Sequence, residues 1–252
     1  MGKLDGKVAI VTAGGQGIGR GAALELAKEG AAVVVAQRTL EKVIRVANEI
    51  KAFGGRALPV ACDTSRRDQV KATVAAAVKE FGTVDILVNA AQSMRNDVLL
   101  EDTTDDDMAL ALGSGLMGTF YFMQECFPYM KEHGGKIINV GSGAGTEGAA
   151  GWAAYAAAKE GIRALTRVAC HEWGKYKINV NVICPWADSP RFLEHVQTKP
   201  GMMDFMLMMN PLGRLGDCQK DIGRVVVFLA SPDSDYVTGH TIMVDGGQLM
   251  LR

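Results

Sequence analysis

A chain of 252 residues, 48% apolar and 22% charged, has the composition of a soluble globular protein and can bury a substantial core in one α/β domain or two. A net charge of -1 with no basic run argues against nucleic acid as a partner. The polar start Met1-Gly2-Lys3-Leu4-Asp5-Gly6-Lys7 does not read as a signal peptide, and no apolar run is long enough to span a bilayer. The five cysteines lack C-x-x-C spacing and the four histidines lack ligand spacing. The expectation is therefore a cytoplasmic protein with reduced thiols, no membrane partner and no metal site.

In chain order, Lys7–Thr12 is a β-prone run. It leads into Ala13-Gly14-Gly15-Gln16-Gly17-Ile18-Gly19-Arg20 and a helical pattern from Gly21 to Glu29 that stops at Gly30. In a strand–turn–helix context, glycines permit a tight turn, let backbone approach a pyrophosphate and aim a helix N-terminus at negative charge. Gly14, Gln16, Gly17, Ile18 and Gly19 are thus candidates for dinucleotide binding. A second strand, Ala32–Ala36, ends at Gln37-Arg38, where a carboxylate would hold the ribose 2′-hydroxyl of NAD. With no carboxylate there and a guanidinium available, a 2′-phosphate is accommodated, so NADP(H) is favoured over NAD(H). The alternative is that Arg38 is a solvated surface charge. Gln16 brings no second positive charge to this end.

A helix is predicted over 40–53 and a third strand over 56–61, with Asp63 just beyond it, placed to accept from an adenine amino group. A helix over 68–81 and a buried fourth strand over 85–89 follow. Alternating strands and helices predict a parallel sheet with right-handed crossovers. Further on, a strand over 135–141 delivers Ser142, and a strand over 178–184 is the sixth. Between them lies an alanine-rich helix in which Tyr155 and Lys159, four residues apart, share one face. A phenol ordinarily loses its proton near pH 10, and a neighbouring ammonium lowers that value. The tyrosine can then exchange a proton with an alcohol or carbonyl near neutrality, with Ser142 reaching the same oxygen. The plainer reading is an amphipathic helix with a tyrosine at its edge.

Taken together, the chain resembles the short-chain dehydrogenase/reductase superfamily over nearly its whole length. The matching residues are Thr12…Gly17-Ile18-Gly19, Asp63, Asn89-Ala90-Ala91, Ser142, Tyr155-x-x-x-Lys159, Pro185 and the terminal Tyr236–Gly247 stretch. The resemblance implies a single doubly wound Rossmann domain over 1–252, with a nicotinamide cofactor at the carboxyl ends of the strands. It implies hydride transfer between that cofactor and a carbonyl or secondary alcohol. Tyr155 would be the general acid/base, Lys159 would lower its pKa and hold the nicotinamide ribose, and Ser142 would orient the substrate oxygen. Asn89 and Pro185 would belong to the cofactor site, and Ser189 would meet the carboxamide. The resemblance also implies a substrate-binding flap at 188–212 and a homo-oligomer, a dimer of dimers, formed through the helices around 105–130 and 153–173.

The departures from the family pattern carry expectations of their own. Ala13 replaces the first glycine of the turn, which requires φ below zero there. Gln92 replaces the glycine of N-N-A-G, whose second asparagine is Ala90, and puts a long amide near the nicotinamide side of the site. Trp186 replaces the glycine of P-G and either narrows the substrate pocket or stacks near the cofactor. Gly115 stands where the family has a catalytic asparagine associated with a water that links the lysine to a proton relay. Ser114 is turned about 100° away along the helix and is no direct substitute. Gly113 and Gly115 weaken the helix by roughly 1 kcal/mol each, and a kink there would let Ser114 or an extra water fill the gap.

The segment 188–212 is rich in methionine, a side chain that adapts to irregular apolar shapes. Met202, Met206, Gln92 and Trp186 are the candidate substrate contacts, for an apolar, cyclic or aromatic small molecule. The alternative is that these methionines pack against the body or a second subunit. The expected function is NADP(H)-dependent oxidation or reduction of a secondary alcohol or ketone. Alternatives are a redox-neutral enzyme, isomerase- or dehydratase-like, that uses Tyr155 as acid/base, and a non-catalytic dinucleotide-binding protein.

Overall fold

The computed structural model describes residues 2–250. The strands β1 (Val8–Thr12), β2 (Ala32–Gln37), β3 (Ala57–Ala61), β4 (Ile86–Asn89), β5 (Gly135–Val140), β6 (Ile178–Pro185) and β7 (Thr241–Val244) form one parallel sheet in the order β3-β2-β1-β4-β5-β6-β7. β1, β2, β4 and the core of β6 are continuous runs of buried residues, as a sheet covered on both faces requires. Chain order reverses between β1 and β4, and the crevice at the carboxyl ends of those two strands is where a doubly wound sheet binds its ligands.

The helices are α1 (Gly17–Lys28), α2 (Leu40–Ala52), α3 (Arg67–Phe81), α4 (Asp105–Ala111), α5 (Gly118–Met130), α6 (Gly143–Glu147), α7 (Ala153–Trp173), α8 (Pro190–Gln197), α9 (Met202–Met209) and α10 (Arg224–Ala230). One apolar layer joins α1, α2 and α10 to the sheet through Leu26, Val33, Val46 and Val226. The opposite layer joins α3, α5 and α7 through Val34, Val74, Leu87, Phe122 and Ala169. The chain is therefore a single Rossmann-like α/β domain. Among the described residues, no helix is long and apolar enough to cross a membrane.

Two details differ from the reading of the sequence. α1 begins at Gly17, four residues before the predicted start: Gly17, at φ +52°, turns the chain out of the loop, and the helix winds on from there. The helix predicted over 105–130 is broken. Thr104 and Asp107 form a capping box that starts α4, but Leu112–Met117 is a π-helical turn before α5 resumes. That turn contains Gly113 and Gly115, so the weak helical propensity of the segment is expressed as a local change of winding.

Candidate active site

A cleft of about 680 Å³ runs along the carboxyl ends of the strands, from Gln37 and Arg38 at one end to Met202 and Met206 at the other. It begins at the turn after β1. Gly19 packs so closely that a Cβ there would lie 2.3 Å from the Ala13 carbonyl oxygen. Gln16, the residue preceding α1, makes no side-chain cap, so the first-turn amides remain available to an anion. Thr12 Oγ1 accepts from the amides of Ala90 (2.9 Å) and Ala91 (3.1 Å), tying the end of β1 to the loop after β4 across the switch point. Ala13 has φ +52°, against the expectation of a negative value. The turn needs the left-handed region here, and the chain accepts an alanine in it at a cost of about 1–2 kcal/mol.

The far end of the cleft is more cationic than the sequence suggested. Arg38 Nη2 donates to Ser93 Oγ at 3.0 Å, bridging the ends of β2 and β4. Lys42, from the first turn of α2, donates to Gln16 Oε1 and lines the same wall, and Arg45 one turn later donates to the Gly15 carbonyl at 3.1 Å. Gln16 thus does not stand without a positive charge: it presents Lys42. The signal was the i, i+3 spacing of Lys42 and Arg45 on a helix that starts just after Arg38. Gln37 Oε1 accepts from the Gly15 amide at 2.9 Å and holds the turn in place. Asp63 lines the same cleft, near Arg38. Burial pushes its carboxyl pKa up, but hydrogen bonds from Ser65 and the nearby Arg38 charge outweigh this and hold it below the ordinary value.

The middle of the cleft is formed by Ser142 at the end of β5, Tyr155 on α7 and Pro185 at the end of β6. Ser142 Oγ caps α6 by accepting from the Ala144 amide at 3.2 Å, and it also lies against the phenol of Tyr155. Lys159 is buried behind Tyr155, with Nζ 5.5 Å from the tyrosine ring centroid, and it donates to the Val140 carbonyl at 2.7 Å. Burial drives the Lys159 pKa down to about 8. The Tyr155 pKa is raised by burial, and the Ser142 hydrogen bond and the Arg191 charge recover only part of that. The expected lowering by Lys159 is not what this geometry produces, because the ammonium is turned toward Val140.

Several predicted residues sit elsewhere than expected. Asn89 is buried beneath the cleft: its Nδ2 donates to Asn139 Oδ1 at 2.9 Å, and Asn139 in turn donates to Thr166 Oγ1 at 2.9 Å. Its side chain ties β4 to β5 and does not face the cleft. Gly14 likewise packs inward, its amide donating to Ala36 O at 3.2 Å. Ser189 caps α8 by accepting from the Phe192 amide, and its Cβ lies 3.3 Å from where a Cβ on Gly17 would be, so it stands beside the glycine turn. Gln92 borders the cleft, but its amide turns toward the π-helical turn, where Nε2 donates to Ala111 O at 3.0 Å. It is not directed at the nicotinamide side as predicted.

Beyond Tyr155 the cleft widens into a chamber walled by Trp152, Trp186, Phe192, Met202, Met206 and Leu249. Trp152 meets the Tyr155 ring edge-on at 5.3 Å and the His195 ring at 5.4 Å, and Trp186 meets Phe192 at 6.1 Å. Trp186 Nε1, His195 Nε2 and Gln248 Oε1, all from residues of this wall, are buried without a hydrogen-bond partner. A mostly apolar chamber with a few unpaired polar atoms is suited to a bulky apolar ligand carrying isolated polar groups. The sequence did not point to Trp152, His195 or Gln248, because only the fold brings residues so far apart around Tyr155.

The glycine turn, the uncapped start of α1 and the cationic end of the cleft together fit a nicotinamide dinucleotide. Comparison with known proteins agrees. A profile of the family described as enoyl-(acyl carrier protein) reductase matches residues 12–248. The chain is 45% identical over 254 residues to a 12alpha-hydroxysteroid dehydrogenase of Clostridium sp., covering 98% of each chain. It is 34% identical over 246 residues to the 3-oxoacyl-[acyl-carrier-protein] reductase FabG of Thermotoga maritima, covering 97% of this chain and 98% of the relative. A solved structure from Sinorhizobium meliloti, described as a short-chain alcohol dehydrogenase, superposes with a TM-score of 0.92 at 32% identity over 97% of both chains. With the sheet order, the glycine turn and the Tyr155–Lys159 helix already in place, these matches show that the chain belongs to the short-chain dehydrogenase/reductase superfamily and is an NAD(P)-dependent oxidoreductase.

Proposed function

We propose that the protein is an NADP(H)-dependent oxidoreductase that interconverts a secondary alcohol and a ketone on an apolar polycyclic molecule of the hydroxysteroid class. The observation that carries the reading is the two-ended cleft: Arg38 and Lys42 at one end, and the aromatic and methionine chamber at the other, with Tyr155 between them. The cationic end suits a ribose 2′-phosphate, because charge-assisted contacts to phosphate are the stronger class of hydrogen bond. The chamber suits fused rings, and the relative at 45% identity is named for a hydroxysteroid substrate.

In this reading the bound nicotinamide supplies or accepts the hydride. Tyr155 gives a proton to the forming alkoxide or takes one from the alcohol, and Ser142 orients the same oxygen. Lys159 holds the ribose and, once turned from Val140 toward it, brings positive charge to the phenol. Segment 188–212, with α8 and α9, closes the chamber through Met202 and Met206. Phe205, Met208 and Met209 face outward from α9, and the faces of α5 and α7 are available for assembly into a dimer of dimers in the cytoplasm.

The test is to titrate reduced-nicotinamide fluorescence with NADPH and NADH and then to supply steroid ketones with the reduced cofactors and steroid alcohols with NADP or NAD. Preferential NADPH binding followed by turnover of a ring ketone or alcohol is the expected result. NADH preference would overturn the cofactor assignment, and failure to turn over any polycyclic substrate would overturn the substrate class.

A further inference from the structure

The π-helical turn at Leu112–Met117 and the loop after β4 are fitted to one another through an exchange of side-chain volume. A Cβ built on Gly115 would lie 2.1 Å from Gln92 Oε1, 2.8 Å from Gln92 Cδ and 3.0 Å from Gln92 Nε2. The carboxamide of Gln92 thus occupies the space into which any side chain at position 115 would project. It is also bonded there. Nε2 donates to the carbonyl of Ala111, the residue just before the π-helical turn, and to the carbonyl of Ser93, both at 3.0 Å. A π turn displaces the regular helical ladder, and an outside donor at its first carbonyl stabilises that displacement.

The neighbouring residues reinforce the same junction. Ser114 Oγ accepts from the Ser93 amide at 2.8 Å and donates to Leu110 O at 2.7 Å. Thr64 Oγ1 donates to the Ser114 carbonyl at 2.9 Å. Arg191 of α8 donates to the backbone carbonyls of Gln92 and Met94, holding the loop from the other side. Across the turn, Leu116 lies 2.9 Å from where a Cβ on Gly161 would be, so the π-helical turn rests on α7 two residues beyond Lys159. The position of Gln92 is therefore passed through a short rigid path to the helix that carries Tyr155 and Lys159.

We propose that Gln92 is a positioning residue. Its amide, supplied from the loop, takes the place of a side chain at Gly115 and fixes the π-helical turn against α7, so that Gly115 and Gln92 work as one unit. The proposal rests on the reading of Tyr155 and Lys159 as the acid/base pair for its effect on turnover, but not for the coupling between the two positions. Gln92 Oε1, buried and without a partner, marks the open end of this unit beside Gly115.

The experiment compares Gln92→Met, which keeps the volume but loses the donor, with Gln92→Gly, which empties the space, with Gly115→Asn, which forces two side chains into one space, and with Gln92→Gly/Gly115→Asn, which returns the amide to the helix and closes a cycle with its two single variants. Four readouts are taken on the full chain: kcat, KM, NADPH dissociation constant and melting temperature. The expected result is a loss of about tenfold or more in kcat for each single variant, with the NADPH dissociation constant and KM changed less than about threefold. The double variant should recover most of the lost kcat and of any lost melting temperature. Independent, multiplying effects in the double variant, or unchanged kcat in Gln92→Met, would overturn the proposal. If the wild-type chain turns over no polycyclic substrate, the functional reading fails, while the melting-temperature cycle still decides whether Gln92 and Gly115 are coupled.

Discussion

The cationic end of the cleft makes a quantitative demand. Arg38 just beyond β2 and Lys42 in the first turn of α2 line the same end of the cleft, Arg38 held by Ser93 and Lys42 by Gln16. A hydrogen bond to a charged group contributes about 1.5–3 kcal/mol. Arg38 is exposed and Lys42 half-buried, so the lower end applies, and each contact should account for about tenfold in affinity, since 1.36 kcal/mol is a factor of ten. Replacing both, Arg38→Leu with Lys42→Leu, should weaken NADPH binding by about 100-fold and NADH binding by less than about threefold. Arg38→Asp alone should reverse the preference, because a carboxylate there repels the phosphate and accepts from a ribose hydroxyl. The assay is fluorescence titration at low and high salt. The NADPH advantage should shrink as salt rises, because exposed charges are screened over about 10 Å at 0.1 M. An unchanged NADPH-to-NADH ratio in the double variant would refute the argument and reduce these cations to solvated surface charges.

Three other perturbations probe the rest of the site. Tyr155→Phe should lose at least about 100-fold in turnover while binding cofactor normally, as measured by steady-state kinetics beside the same titration; near-normal turnover would remove Tyr155 from the acid/base role. Ala13→Gly should raise the melting temperature by about 2–4 °C: relief of the left-handed strain slightly exceeds the added freedom of the unfolded chain, leaving about 1 kcal/mol. A lower melting temperature would show that Ala13 is unstrained. For Lys159 the folded pKa, about 8, lies below the ordinary 10.5, so between these values the unfolded chain binds more protons and stability rises with pH. The difference in stability between wild type and Lys159→Met, followed by denaturant unfolding from pH 7 to 10, should therefore move in favour of wild type above pH 8. A flat difference would mean that the lysine carries no burial penalty.

Much of this molecule is legible in its residues because local pattern and tertiary demand agree. Buried apolar runs at Ile10, Val34 and Leu87 can only be covered strands, and the alternation with helices leaves few sheet orders open. The Tyr155–Lys159 spacing is helical and therefore predicts adjacency. What escaped is conformation and contact across the chain. The φ of Ala13 depends on the turn as a whole, and Lys42 gains its role only because α2 starts beside the glycine turn. The orientation of Lys159 follows from Val140 lying within reach of its ammonium, which spacing along one helix does not reveal. The absence of a side chain at Gly115 reads as a loss in one dimension. In three, Gln92 fills the gap from 23 positions away, and the glycine is what admits it.

In the proposed function, the cleft couples a phosphorylated nicotinamide to an alcohol on a polycyclic substrate through Tyr155. The most direct measurement supplies NADP and a panel of hydroxysteroids to the wild-type chain and to Tyr155→Phe, following the appearance of reduced nicotinamide together with the steroid ketone. Wild type should form equal amounts of both products, the variant little of either, and the reaction should be much slower when NAD replaces NADP. Reduced nicotinamide formed as fast by Tyr155→Phe, or no ketone formed with either cofactor, would contradict that function.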